Sequence, residues 1–206
     1  MNAGAFLPLS KSKLRASGKL QKNRQTRNLP VFFFSDKRHP GAIRHPDLIM
    51  NAVEWLESKY AVKCPDVKFY PTDVPENPIG KHLDGLLTDD YDEVRKEIRN
   101  EIHISIREHL RRYPYPASYV WMIDTLFHEF HHWLEMKKGS AKTSFFDYPL
   151  HSLVGRRVEA DHLPAHMSEE EKRVEMKAQH DFMQFQETQP ILHRWVLLHQ
   201  KAQTID

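Results

Sequence analysis

Between residues 45 and 60 the apolar side chains Leu48, Ile49, Ala52, Val53, Leu56 and Tyr60 recur at the i, i+3, i+4, i+7 spacing of an amphipathic helix. Pro46 is compatible with its first turn. The period then changes. The run D-V-K-F-Y-P from residue 66 reads as a strand, and V-P-E-N-P-I-G (74–80) as a loop, since two prolines and a glycine interrupt any regular element. D-G-L-L-T-D-D-Y (84–91) predicts a short strand. Residues 100–108 alternate, with Ile102, Ile104 and Ile106 on one face and Glu101, His103, Ser105 and Arg107 on the other, the pattern of a half-buried strand.

After the break R-R-Y-P-Y-P-A-S, a long helix is expected from Ser118 to about Lys138. Ser118 would be its N-cap, Lys137 and Lys138 fall in the last turn, and Gly139 lies past the end. H-S-L-V-G-R-R-V-E-A-D-H-L (151–163) reads as another helix, stopped by Pro164. Ser168 and Glu171 stand at capping-box spacing at the start of a further helix, and Pro190 separates it from a final apolar one, I-L-H-R-W-V-L-L-H-Q. This order predicts an α+β fold, a small and mostly antiparallel sheet with helices gathered on one side.

Residues 1–28 do not share this patterning. They carry Lys11, Lys13, Arg15, Lys19, Lys22, Arg24 and Arg27 with no acidic residue, and are expected to form a disordered basic arm. A solvated tail is the plain reading; contact with the phosphate backbone of a nucleic acid is the other. The β-prone run L-P-V-F-F-F-S (29–35) would open a single folded domain over 29–206. The composition, 40% hydrophobic and 11% aromatic, supports a buried core, and a formal charge of +2 is too small to imply nucleic acid by itself. Cys64 is the only cysteine, which excludes an intramolecular disulfide and a cysteine-rich zinc site and points to a reducing, cytoplasmic setting. No apolar run approaches the roughly 18 residues of a membrane span.

The 14 histidines change the picture where they cluster. His128, Glu129, Phe130, His131 and His132 spell H-E-x-x-H inside the long predicted helix. Residues four apart lie about 40° apart around a helix axis, so the imidazoles of His128 and His132 reach one side at a separation a single Zn²⁺ can bridge. Glu129 lies close to both in angle and can serve a metal-bound water as general base without being a ligand. His131 would leave Glu129 poorly aimed if it replaced His132. A third ligand is needed, and G-R-R-V-E-A-D-H-L-P-A-H supplies Glu159, Asp161, His162 and His166. Glu159 is the first choice, with Asp161 accepting from a ligand histidine. Glu135 is assigned to the surroundings, because one straight helix rarely wraps a tetrahedral ion with three ligands.

The pair "HEFHH" and "VEADHLPA" resembles the compact gluzincin-type zinc peptidases of the ImmA/IrrE-like group, over roughly residues 95–166. The resemblance implies a zincin-like core in which His128 and His132 are ligands, Glu129 the base, and the acidic run the source of the third ligand. It also implies a short curved sheet whose edge strand binds an extended peptide, with "NEIHISI" as that strand. One departure is plain: gluzincins carry E-x-x-A-D, and Arg157 occupies the ligand position, leaving Glu159, Asp161 or His162 to take it over. Attack on a carbonyl also calls for an oxyanion stabiliser; Tyr148 and His151, between the two motifs, are the candidates. The expected function is a zinc metallopeptidase acting on a protein or peptide substrate. The alternative is a nucleic-acid-associated binding or regulatory protein whose metal site is structural or inactive.

Overall fold

The computed structural model describes residues 45–70, 85–92, 97–138 and 155–202. The basic arm and the 29–35 run lie outside them. The first described element, helix α1 (Pro46–Tyr60), buries Leu48, Ile49, Ala52, Val53 and Leu56, the stripe that the apolar spacing marks, and ends at Ala61 in the left-handed region, φ 53°. Strands β1 (Asp66–Tyr70), β2 (Gly85–Asp92) and β3 (Glu97–Ser105) form one sheet in the order β1-β3-β2. β3 runs parallel to β1 and antiparallel to β2, so this three-stranded sheet is mixed.

That order corrects one expectation. The strand containing "NEIHISI" is central and paired on both sides, so it has no edge to offer; among the described strands, β1 and β2 hold the edges. Nor is it half-buried. Ile102 and Ile104 enter the main core, while Glu101, His103 and Ser105 are buried on the opposite face. Glu101 there accepts from Lys68 and lies 2.9 Å from His103 Nε2, which offsets the cost of burying its charge. The strand also ends earlier than the alternation suggests. Ser105 caps helix α2 (Ile106–Arg112), its hydroxyl accepting from the Glu108 N–H at 3.1 Å, so Ile106 opens a helix.

Helix α3 (Ala117–Lys137) follows, with Pro116 at the N-cap; Ser118 falls inside its first turn. Its buried side chains include Tyr119, Val120, Trp121, Met122, Ile123, Leu126, Phe127, Phe130 and Trp133, which share one core with α1 and with Val67, Phe69, Ile102 and Ile104 of the sheet. Residues 155–168 contain only a short 3-10 turn, Ala160–His162, in place of the helix expected over 151–163. Gly155 sits at φ +69°, a left-handed conformation that a regular helix does not hold. Helices α4 (Glu169–Glu187) and α5 (Pro190–Ala202) complete the described fold and pack on α3 and on each other. It is an α+β architecture of five helices and a small sheet, mostly helical. Among the described residues no helix is long and apolar enough to cross a membrane.

Candidate metal centre

His128 and His132 lie one turn apart on α3, and their rings converge: the two Nε2 atoms are 3.0 Å apart. The third donor comes from α4. Glu171 Oε1 lies 3.0 Å from His128 Nε2, and Glu171 Oε2 lies 3.3 Å from His132 Nε2. These are the residues among those described that could together hold a metal ion. Bonds of ~2.0–2.1 Å at tetrahedral angles place neighbouring ligand atoms about 3.3 Å apart, so the spacing fits one small divalent cation. Two imidazoles and a carboxylate are also a known catalytic zinc donor set, one that leaves a fourth position for water.

The surroundings orient these donors. Glu175, one turn after Glu171 on α4, places Oε2 2.9 Å from His128 Nδ1. An Nδ1–H donating there leaves the Nε2 lone pair aimed at the donor triangle. Charge follows the same logic. Burial opposes ionisation of Glu171, yet its bonds to His128 and His132 and their positive charge hold its carboxyl well below the usual carboxylate range. Burial also opposes charging His128, but Glu171 and Glu175 overcome it and raise its pKa well above the ordinary imidazole value. Both shifts express the attraction between the carboxylates of α4 and the imidazoles of α3. Asp124, buried beside Gln179, is pushed up to about 8 by burial and by the charge of Glu175.

Glu129, next to His128 in the chain, turns its carboxyl to β2. Its carboxyl accepts from the Leu87 backbone and feels both histidines, which lower its pKa; burial outweighs them and, with Glu171, raises it. Gly85 makes this approach feasible: a Cβ there would stand 2.5 Å from Thr125 Cγ2 and 3.1 Å from Glu129 Oε1.

The carboxylate that joins the histidines is therefore Glu171, where the sequence pointed to Glu159. Glu159 is exposed at the N-cap of the 3-10 turn, its backbone N–H 3.2 Å from His162 Nδ1 and its Oε1 3.3 Å from Arg157 Nε. Asp161, His162 and His166 are exposed as well, and none joins the donor group. His131 turns away, placing Nε2 3.1 Å from Asp181 Oδ2, and Glu135 pairs with Lys177 at 2.7 Å. Tyr148 and His151 lie outside the described residues. The signal for the missed ligand was the pair Glu171 and Glu175, four apart like His128 and His132, at the start of a helix. Compared with known protein families, curated proteins and solved structures, the chain finds no match.

Proposed function

We propose that the chain is a zinc-dependent metallopeptidase in which His128, His132 and Glu171 hold one Zn²⁺ and Glu129 is the general base. The observation that carries this reading is the convergence of three donors from two helices at 3.0–3.3 Å, with the glutamate of H-E-x-x-H outside the donor group yet within reach of the charge of all three. A bound Zn²⁺ supplies a water acidified to a pKa of about 7 and a Lewis acid for the scissile carbonyl. Glu129 would take the proton of the attacking water and return it to the leaving amine. Glu175 holds His128 in the ligating tautomer.

The resemblance to gluzincins gains from the shift of the third ligand. Their run E-x-x-A-D places glutamate and aspartate four residues apart. Here Glu171-Lys172-Arg173-Val174-Glu175 keeps that spacing, with valine for alanine and glutamate for aspartate. The position of Arg157 then ceases to be a departure. A peptide substrate is favoured by β2, an edge strand among the described strands, which lies against α3 where Glu129 meets Leu87.

The test pairs metal content with hydrolysis of fluorescein-labelled casein. Purified wild type is expected to retain about one zinc per chain and to cleave. Glu129→Gln is expected to keep the zinc and lose about 10²–10⁴-fold in rate. A wild type that binds no zinc, or a Glu129→Gln variant as active as wild type, defeats the reading.

A further inference from the structure

Gln179 lies one turn beyond Glu175 on α4 and is buried. Its carboxamide is engaged at both ends. Nε2 donates to Asp124 Oδ1 at 2.7 Å and to Glu175 Oε1 at 3.1 Å, and Oε1 accepts from the Gly155 N–H at 3.1 Å. The orientation of the amide is fixed by chemistry, since a backbone N–H can meet only the oxygen and two carboxyl oxygens suit the NH₂. The far anchor is rigid. Gly155 holds φ +69°, its carbonyl accepts from Gln200 Nε2 at 2.9 Å, and a Cβ there would lie 2.4 Å from Val196 Cγ1.

We propose that Gln179 is a positioning residue of the metal centre: by tying Glu175 Oε1 to Asp124 and to the Gly155 backbone, it fixes the carboxylate that orients His128. The proposal rests on His128 being a ligand, as read above. One carboxylate oxygen of Glu175 is held by Gln179 and the other faces His128 Nδ1. With the first released, only the contact with His128 is left to set the carboxylate's last torsion, and the imidazole is oriented less firmly. Groups that support ligands in this way govern about 10–100-fold in metal affinity. The chain Gly155–Gln179–Glu175–His128 thereby links the centre to the segment packed on α5.

The experiment is a double-mutant cycle on Zn²⁺ affinity, measured by competition with a chromogenic chelator, with the Co²⁺ absorption spectrum as a geometric signature. Gln179→Met keeps length and removes the amide; Glu175→Gln alters the carboxylate it holds. Gln179→Met is expected to weaken zinc about tenfold and to change the Co²⁺ bands. In the Glu175→Gln background the same change is expected to cost less than about twofold, because the two act in series. Unchanged affinity in Gln179→Met overturns the proposal. So does a full additive loss in the double variant, which would mean that the glutamine acts on the fold and not through Glu175. Should Gln179→Met fail to fold, Gln179→Leu replaces it. That variant removes the donors without adding charge beside Asp124 and Glu175, and it must show the same non-additivity. Wild type without zinc, indistinguishable from His128→Ala, defeats both this proposal and the metal-centre reading. Zinc that is lost in His128→Ala but unaffected in Gln179→Met defeats this proposal alone.

Discussion

At Glu171 one residue serves both the backbone and the site. Its N–H donates to Ser168 Oγ at 3.1 Å, closing the first turn of α4, while its carboxylate stands beside His128 and His132. We expect Glu171→Gln to lose most of the bound zinc and Glu159→Gln to keep it, as read by metal analysis of the purified variants. Equal retention in both would remove Glu171 from the centre. The pair from α3 was legible because helical periodicity is local: a spacing of four fixes where two side chains point. The third donor was not, because nothing in linear spacing states which face of a later helix meets α3. Glu171 was moreover already explained as a capping residue, so its second use was hidden. Glu159 has a carboxylate's reach and lies in a segment that reads as a separate helix, yet the chain there makes a 3-10 turn whose polar groups satisfy one another.

The contact between β2 and α3 depends on the absence of a side chain at Gly85. A methyl group there collides with Thr125 Cγ2 and crowds Glu129, so in Gly85→Ala either the Thr125 side chain turns or the strand moves off the helix. Such overpacking costs about 1–3 kcal/mol, measurable as a lower urea midpoint. Hydrolysis is expected to fall by more than the unfolded fraction explains, since the Leu87 bond to Glu129 loosens with the strand. A variant with wild-type stability and activity would show that the strand has room to move. Among the elements, α1, α3, α4 and α5 were readable from apolar period and capping, and the strands from alternation. Two of the departures have a plain physical reason. Ser105-Ile106-Arg107-Glu108 is a cap signal inside an alternating run, and the cap prevailed. Gly155 adopts a left-handed φ that a regular helix does not hold, in a segment whose composition looks helical. The central place of β3 is a matter of non-local pairing, which alternation alone does not encode.

Across the whole molecule, α3 is tied to its neighbours by buried polar links as well as by the core. Asp181 of α4 receives Lys59 at 2.7 Å and Tyr60 at 2.6 Å from α1 and faces His131 of α3, while Glu135 of α3 pairs with Lys177 of α4. The bond from Lys177, against an opposing cost of burial, lowers the Glu135 pKa from 4.5 to about 2. A depressed carboxyl pKa contributes stability that is complete above the unfolded value and is lost as pH falls through the folded one. Stability is therefore expected to decline between pH 4.5 and about 2, and Lys177→Met to flatten that decline. Urea midpoints taken in chelator across this range would check it; identical slopes would exclude the pair as a contributor. The dual position of Glu171 has its own consequence at this scale. On the proposed metal reading an ion would add a further tie to a turn that the Ser168 cap and the two histidines already hold, so Lys172 and Arg173, just behind that glutamate, are expected to be cut by trypsin more slowly in zinc than in chelator; equal rates would show that the cap alone sets the turn. The protein would carry its own gauge of occupancy, legible on a gel.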